Sequence, residues 1–380
     1  MTQPATRSIV FVNNFAAPTL GGGEVHLMHL VRGALAAGWD VGLVAAGSSA
    51  LAEQATSAGA TVTELDFSRA RLAHVPARIR DAVASSGAQV LVGTGFLTNV
   101  CVRHAARGLD VAVVNIVHTE PEASRHEGTG PLRLAMRRRL EAAGRSRVDG
   151  FVAISSAVRN ALCSAGADPA RIHLIPNGVD IEAVRAEAAA HPLPDVFDGA
   201  GPVVGCIGRL APVKGVEYFI RMAAALSVRM PHVRFVVAGS GPQESRLREI
   251  AYAAGLGEHL RFLGHVPSAA SVIGACEVVV IPSLSEGFSL VAAEAMALAK
   301  PVVATRVGGV TDVVADGETG LLVPPADPEA LAAAVARLLA DPDLARTMGT
   351  AGARRAEEHF TLDRMVRGYL ELFSSLAVGD

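Results

Sequence analysis

The sequence predicts an α/β protein with two doubly wound parallel sheets, one in each of two domains. Short runs of β-branched residues alternate with helical segments from end to end, which is the rhythm of a parallel sheet with crossover helices. The 380 residues and the 50% hydrophobic content are enough for two buried cores. A segment rich in Pro, Gly and Ala, residues 188–202, separates two halves that each show this rhythm. We therefore expect domains at residues 1–192 and 201–360, followed by a helical segment at residues 361–380.

The first half opens with a strand, a glycine-rich turn and a helix. Its strands are expected at residues 9–12, 41–46, 61–65, 89–92, 111–117 and 150–154. The turn runs from Gly21 to Glu24, and the helical pattern after it stops near Gly38. Backbone amides at Gly22 and Gly23 can approach a phosphate without a side chain in the way. A tight turn with Glu24 placed favourably at a helix N-terminus explains the same residues.

His118 directly follows the apolar strand at residues 111–117. Open α/β sheets bind ligands beyond the carboxyl ends of their strands, so His118 is a candidate for catalysis. A hydrogen-bonded structural histidine fits the same position.

The segment from Pro131 to Arg147 is the one strongly basic stretch of the chain. Leu132, Met136 and Leu140 are spaced to lie along one face of a helix there. One interpretation is an ordinary solvated face. The other is peripheral docking onto anionic lipid headgroups, where each basic residue contributes about 1 kcal/mol.

The second half restarts with a strand at residues 203–207 and a loop that carries two cations. Arg209 can bind two phosphate oxygens in a fork, and Lys214 adds a point charge, so the pair suits a diphosphate. Two ordinary surface cations fit the same loop. Later strands end in glycine-containing turns, at residues 235–238 before Gly239 to Pro242 and at residues 261–263 before Gly264 to Val266.

The segment PSLSEGFSLVAAEAMA contains two glutamates, Glu286 before a predicted helix and Glu294 within it. Glu294 lies on an otherwise apolar helix, where burial of an unpaired carboxylate costs on the order of several kcal/mol, so Glu294 is either turned to solvent or directed at a partner. Ser289 is placed to cap this helix, which leaves the amides of Phe288, Ser289 and Leu290 as donors for an anionic or hydroxyl-rich ligand. Eight helical residues rise about 12 Å. A glycosidase acid/base pair lies closer than that, so Glu286 and Glu294 fit two tasks along one extended ligand better.

Composition and pattern argue against several other classes of protein. The four cysteines lack C-x-x-C spacing and read as reduced core residues. A net charge of -3 and 4% aromatic residues argue against nucleic acid as a partner. Neither a dinucleotide G-x-G-x-x-G motif nor a Lys-bearing P-loop is present, and no D-x-D pair at a strand end indicates a metal-bound diphosphate. Without a long apolar run or a signal-peptide pattern, we expect a cytoplasmic protein.

The spacing of Glu286 and Glu294 resembles the E-x7-E signature of the retaining GT-B glycosyltransferases of family 4, also called glycosyl transferases group 1. The resemblance implies a GT-B fold of two Rossmann-like domains that face each other across a cleft. It implies acceptor binding by residues 1–192, nucleotide-sugar binding by residues 201–360, and a C-terminal helix at residues 361–380 that crosses back to the first domain. The reaction would move a hexosyl group from a UDP-, GDP- or ADP-sugar to a hydroxyl of a glycan, lipid-linked or small acceptor. It would retain anomeric configuration and need no metal or other cofactor.

The resemblance also implies a role for individual residues. In the second half, these are Glu286, Gly287, Phe288, Ser289 and Leu290 for the donor sugar and phosphate, Glu294 for the ribose hydroxyls, Arg209 and Lys214 for the pyrophosphate, and Gly241 and Val266 for the nucleoside. In the first half, these are Gly22 and Gly23 facing the donor phosphate and His118 near the reacting sugar. Catalytic roles are thus expected for His118, Arg209, Lys214 and Glu286.

Two rival functions fit the same residues. A sugar phosphorylase or a nucleotide-sugar epimerase on the same fold would use the same cations. A non-catalytic nucleotide-sugar-binding subunit of a glycan assembly complex would bind the donor without turnover. Lipid-linked acceptors would place the protein at the inner face of a membrane, with the basic segment from Pro131 to Arg147 as the contact.

Overall fold

The computed structural model of the chain describes residues 7–16, 21–47, 49–68, 70–119, 130–193 and 201–377. The chain forms two compact units. The described residues up to Asn177 and those from Asp363 onward make the first unit, and the described residues from Gly178 to Leu362 make the second. The middle of the expected boundary segment, residues 194–200, lies outside the described residues.

A parallel sheet forms the centre of the first unit. Its strands are β1 Ser8–Val12, β2 Asp40–Ala46, β3 Thr61–Leu65, β4 Val90–Gly93, β5 Ala112–Val117, β6 Gly150–Ala153 and β7 Ile172–Leu174. They lie in the order β3-β2-β1-β4-β5-β6-β7, and every pairing is parallel. The strand order reverses at β1, so the carboxyl ends of β1 and β4 flank the switch point where such sheets bind ligands.

Helices pack against both faces of this sheet. They are α1 Gly22–Ala36, α2 Ala50–Ala58, α3 Val75–Ser86, α4 Phe96–Ala105, α5 Pro131–Ala142 and α6 Ser156–Ser164. On one face, Val10 and Val12 join a core cluster with Ile79 of α3. On the other face, the ring of Phe11 meets the ring of Phe373 at 6.0 Å between centroids. Because both faces are covered, all five residues of β1 are buried.

The second unit repeats the architecture with a parallel sheet of its own. Its strands are β8 Val203–Ile207, β9 Arg234–Ala238, β10 Leu260–Gly264, β11 Val278–Ile281, β12 Val302–Thr305 and β13 Gly320–Val323. Its helices are α7 Ile181–Ala190, α8 Val216–Arg229, α9 Glu244–Ala253, α10 Ala269–Gly274, α11 Leu290–Ala297, α12 Val310–Val313, α13 Pro328–Ala340 and α14 Pro342–His359. The strand order β10-β9-β8-β11-β12-β13 reverses at β8, which places this switch point between the loops after β8 and β11.

Among the described residues, the chain passes from one unit to the other before helix α7 and again at the start of the last helix. Helix α7 lies in the second unit, although the sequence pattern assigns its residues to the first domain. Arg185 of α7 contributes to this placement, since its guanidinium donates to the carbonyl of Ala297 at 3.1 Å and to the Glu357 carboxylate at 2.6 Å. The last helix, α15 Leu362–Ala377, packs in the first unit from Asp363 onward and buries Tyr369 and Phe373 there.

The predicted strands are confirmed. Each of the nine ranges expected from the sequence agrees with an observed strand to within one residue at either end. Among the described residues, no helix has the length and apolarity needed to cross a membrane.

Candidate functional site

The loop after β8 approaches the loop after β11 very closely. Gly215 has φ +62°, and a Cβ built on it would lie 2.0 Å from the carbonyl oxygen of Pro282. The amide of Leu284 donates to the carbonyl of Val213 at 2.7 Å, which joins the two loops. Glycine at position 215 therefore allows the cation-bearing loop to lie against the carboxyl end of β11.

An ion pair occupies this junction. The Lys214 ammonium donates to both carboxylate oxygens of Glu286 at 2.7 Å each, and the Ser283 hydroxyl donates to Glu286 Oε2 at 2.9 Å. The two charged side chains are partly buried, with 31% of Lys214 and 11% of Glu286 exposed. The sequence indicated a site role for both residues but gave no sign that they pair, and it missed Ser283. The only available signal for Ser283 was its spacing three residues before Glu286.

Helix α11 begins as its sequence predicts. Ser289 is the N-cap, with its hydroxyl accepting from the amide of Ala292 at 3.3 Å, which confirms the expected cap. Phe288 is buried, and its ring meets that of Phe360 at 5.6 Å, so its side chain anchors the loop. The first intrahelical bond runs from Ala293 to the carbonyl of Ser289, which leaves the earlier amides, including that of Leu290, without an intrahelical acceptor. Such amides suit an anionic or hydroxyl-rich ligand.

Glu294 is partly buried, and its carboxylate makes no hydrogen bond or ion pair to any residue that the structure describes. Burial raises the pKa of Glu294 to about 7, and the nearby charge of Glu187 adds to the effect. Because the side chain is partly buried, the interpretation of Glu294 as a fully solvated surface residue does not fit the structure. A half-buried acid without a protein partner fits a residue that binds a ligand.

The loops that follow β8, β9 and β10 lie side by side near the ion pair of Lys214 and Glu286. The amide of Leu210 donates to the carbonyl of Ser240 at 2.9 Å, and the amide of Gly239 donates to that of Gly264 at 2.7 Å. A Cβ on Gly241 would lie 2.5 Å from the Leu210 carbonyl oxygen. The loops that carry Arg209, Gly241 and Val266 therefore lie side by side, and Arg209 is exposed while Val266 is partly exposed.

In the first unit, the glycine-rich turn enters α1 as expected. Helix α1 starts at Gly22, and a Cβ on Gly23 would meet nothing within 4 Å. Glu24 turns back, and its Oε2 accepts from the amide of Gly21 at 3.1 Å. Burial raises the pKa of Glu24. The structure thus makes Glu24 a buried helix cap rather than a surface residue interacting only with the helix dipole. Residues 17–20, which precede the turn, lie outside the described residues.

His118 lies at the end of β5 and lines a cavity of about 150 Å³. Burial lowers the pKa of His118 to about 4, so its imidazole is neutral at pH 7. The same cavity is lined by Thr94, Phe96, Asn99, Asn115, Thr119 and Arg137, among others. The side-chain amide oxygens of Asn99 and Asn115 are buried and accept no hydrogen bond from any residue that the structure describes. Single asparagines carry no spacing signal, so sequence reasoning missed them.

The basic segment is a helix followed by a short turn rather than one helix. Helix α5 ends at Ala142, and residues Arg145–Arg147 form a separate 3₁₀ turn. Leu132, Met136 and Leu140 lie four residues apart on one face, as expected, and 78%, 58% and 42% of their respective surfaces are exposed. Neighbouring Arg103 is almost fully buried, and its guanidinium donates to the carbonyls of Asn99 and Glu141 at 2.8 and 2.7 Å.

Two family models match the chain. The model for glycosyl transferases group 1 matches residues 195–355, and the model for glycosyltransferase family 4 matches residues 20–183. A D-inositol 3-phosphate glycosyltransferase of Kribbella flavida is 38% identical over 205 residues, which cover 50% of this chain and 48% of that protein. An alpha-maltose-1-phosphate synthase of Mycolicibacterium smegmatis is 33% identical over 252 residues, which cover 60% and 64% of the two chains. The chain spans about half the length of the first curated relatives it matches.

Solved structures match over nearly the whole chain. HepE of Anabaena in complex with UDP has a TM-score of 0.84 at 20% identity, covering 97% of this chain and all of that one. Sucrose-phosphate synthase of Thermosynechococcus elongatus has a TM-score of 0.83 at 24% identity, covering 97% and 99%. At these identities the likeness concerns the fold, and it confirms the expected GT-B class.

Proposed function

The chain belongs to the glycosyl transferases group 1, and from this premise we propose that it moves a hexosyl group from a nucleotide-diphosphate sugar to a hydroxyl acceptor. The observation that carries the proposal is the arrangement at the switch point of the second unit. There, Lys214, Glu286 and the amide-bearing start of α11 adjoin one another. A cation, a hydrogen-bonding carboxylate and free amides are the groups that a sugar diphosphate requires.

In this proposal each part of the donor has its own contacts. Arg209 and Lys214 bind the diphosphate, and Glu294 accepts hydrogen bonds from the ribose hydroxyls. Glu286 and the amides from Gly287 to Leu290 bind the transferred sugar and its phosphate. Gly241 and Val266 line the nucleoside pocket, with Gly22 and Gly23 of the first unit facing the donor phosphate. UDP-sugars are the first donors to test among the UDP-, GDP- and ADP-sugars, because the solved complexes of HepE hold UDP and UDP-glucose.

The chemistry we propose is electrostatic. Charge accumulates on the leaving diphosphate as the glycosidic bond breaks, and Lys214, Arg209 and the helix amides stabilise it without a metal or another cofactor. We further propose retention of configuration, with the leaving phosphate assisting attack from the same face of the sugar. His118 would touch the reacting sugar as a neutral hydrogen-bonding group, since its lowered pKa of about 4 makes it a poor base at pH 7.

The acceptor would bind in the first unit, at the cavity lined by His118, Asn99 and Asn115. Thr94, Asn99, Asn115 and Arg137 bring hydrogen-bonding side chains to this cavity, which suits a hydroxyl-bearing acceptor such as a glycan, a lipid-linked sugar or a small polyol. The rival functions differ in product. Release of UDP that requires an acceptor supports transfer, whereas turnover without acceptor would point to an epimerase or a phosphorylase and binding without any turnover to a non-catalytic subunit.

The lysine content of the chain gives a sharp test of the donor site. Lys214 and Lys300 are the only two lysines in the sequence. UDP-glucose should protect Lys214 but not Lys300 from an amine-reactive label, as read by peptide mass spectrometry. Lys214→Ala should lower turnover by on the order of 10²-fold or more, while the control Lys300→Ala keeps wild-type turnover. Equal labelling of Lys214 with and without saturating donor would contradict the assignment.

We also propose that α5 contacts an anionic membrane from the cytoplasmic side. Its exposed stripe of Leu132, Met136 and Leu140 adjoins exposed arginines, including Arg133 and Arg139, and this combination suits an anionic interface. The full chain should float with vesicles containing phosphatidylglycerol and not with neutral vesicles. Met136→Glu should reduce flotation several-fold, since it places a carboxylate in the apolar stripe. The matched control is Val228→Glu, at a residue 84% exposed on α8 of the second unit. Equal flotation of both variants would contradict this surface.

A further inference from the structure

His118, His26 and Tyr369 form a cluster of three aromatic side chains in the first unit. The ring of His26, on α1, meets the ring of His118 edge to face, with 5.1 Å between centroids and 86° between planes. The ring of Tyr369, on α15, meets His26 at 5.4 Å and 70°. His26 is 4% exposed and Tyr369 is fully buried. The cluster thus joins three elements that are far apart in the sequence.

The polar atoms of this cluster lack partners. Both ring nitrogens of His26, Nε2 of His118 and the hydroxyl oxygen of Tyr369 are buried without a hydrogen bond to any described residue. Four such atoms in one place are unusual, because buried polar groups are normally satisfied by protein or by internal water. An internal water makes about three or four hydrogen bonds, so one water can satisfy Nε2 of His118, the Tyr369 hydroxyl and one of the two diverging ring nitrogens of His26.

The two nitrogens of His118 have different surroundings. Nε2 is buried and has no partner among the described residues, whereas Nδ1 is not one of the buried unpartnered atoms, and His118 lines the cavity described above. Burial lowers the pKa of His26 and of His118, so both rings are neutral at pH 7. A neutral imidazole carries its proton on one nitrogen, and the hydrogen bond at the other nitrogen decides which one.

We infer that His26 and Tyr369 are positioning residues for His118. Their polar atoms hold one internal water against Nε2 of His118, which fixes a single tautomer and orients Nδ1 toward the cavity. Helix α15 is thereby part of the support of the reaction centre, through the hydroxyl of Tyr369. The catalytic consequence rests on the proposed function, but the tautomer of His118 does not.

Tyr369→Phe is the decisive variant, because it removes one hydroxyl and keeps the ring that packs on His26. His26→Phe is the second variant, and it keeps an aromatic ring against both neighbours. The full chain is labelled with ¹⁵N-histidine, and the His118 signal is assigned by its loss in His118→Gln. Long-range ¹H–¹⁵N correlations at pH 7 then report which nitrogen of His118 carries the proton, without any substrate.

We expect a single His118 tautomer in the wild type and a mixture of two in Tyr369→Phe and His26→Phe. In the transfer assay with UDP-glucose, kcat should fall about two- to tenfold, the size of one neutral hydrogen bond, while the KM for the donor stays unchanged. Phe373→Leu is the matched control. Phe373 lies one turn further along α15, is equally buried and contacts Tyr369. This variant should lower the melting temperature but change neither the tautomer nor kcat.

A tautomer mixture in the wild type, or an unchanged single tautomer in Tyr369→Phe, would overturn the inference. A loss of kcat in Phe373→Leu as large as that in Tyr369→Phe would also overturn it, since the loss of kcat would then result from altered packing alone. If the wild type transfers no sugar and yet the tautomer shifts in Tyr369→Phe, the proposed function fails while the positioning of His118 stands.

Discussion

Replacing Glu294 by Gln should stabilise the second unit, by an amount that grows with pH. Burial raises the pKa of Glu294 from 4.5 to about 7. Between these two values the folded chain keeps a proton that the unfolded chain has released, so the free energy of unfolding falls as pH rises through this window. At 1.36 kcal/mol per pKa unit, the loss amounts to about 3 kcal/mol once pH exceeds 7. Partial exposure of the side chain makes this an upper value.

Glutamine resembles the protonated acid, so Glu294→Gln should recover this free energy. We expect a gain of about 2 to 3 kcal/mol at pH 8 and less than about 1 kcal/mol at pH 5. Trp39, the only tryptophan, lies in the first unit, so tryptophan fluorescence would not report on the second. Urea unfolding is better followed by hydrogen exchange in peptides that cover β11, α11 and β12.

The exposed Glu249 of α9 provides the control, since Glu249→Gln should change stability by less than about 0.5 kcal/mol at either pH. A gain at pH 8 no larger than at pH 5, or no larger than in the control, would refute the idea that Glu294 is a strained, partnerless carboxylate. The same Glu294→Gln change should weaken UDP binding by about tenfold or more, because the ligand loses a charged acceptor. More stability with less affinity is the pattern expected of a residue kept for binding.

Two further outcomes follow from the junction of the β8 and β11 loops. Glu286→Ala should lower kcat strongly. It should affect UDP affinity less than Glu294→Ala does, because UDP lacks the transferred sugar. If calorimetry gives an equal or larger loss of UDP affinity for Glu286→Ala, the two roles are misassigned. Gly215→Ala should lower stability by about 1 to 3 kcal/mol, since its Cβ would lie 2.0 Å from the Pro282 carbonyl at a left-handed φ. Gly257→Ala, where a Cβ meets nothing within 4 Å, should cost less than half as much in the same melting experiment.

The strands were readable from the sequence because apolar runs between turn residues are a local signal. No range was expected for β7, β11, β12 or β13. Strand β7 lacks the local signal, since its three residues, Ile172 to Leu174, are only partly buried or exposed and form no apolar run. The placement of α7 was not readable for a different reason. Its contacts in the second unit include those of Arg185 with Ala297 and Glu357, which lie 112 and 172 positions away. Local composition carries no trace of such contacts.

At the candidate site, too, the sequence predicted local features but not contacts between distant positions. Arg209, Lys214, Glu286 and Glu294 stood out because charged residues at strand ends or on an apolar helix are anomalous in their own segments. Pairing of Lys214 with Glu286 joins positions 72 residues apart, and the contact of His26 with Tyr369 joins α1 with α15. Sequence reasoning could therefore name residues that need a partner, but only the fold shows which partner each one has.

If Lys214 and Glu286 bind the donor as proposed, their ion pair explains how the site can be stable before the donor binds. A lone Lys214 ammonium in a partly buried site would carry a desolvation cost, and Glu286 offsets it by accepting through both oxygens. In that proposal an arriving diphosphate would offer the same ammonium new anionic oxygens, so the lysine would exchange one anion for another instead of losing its partner. The freed carboxylate oxygen of Glu286 can then accept from a sugar hydroxyl, and the Ser283 hydroxyl keeps its hold on Oε2. It follows that the loss of kcat in Lys214→Ala reports the lysine's stabilisation of the leaving group, whereas the cost of leaving Glu286 unpaired is expected in the stability of the unliganded chain.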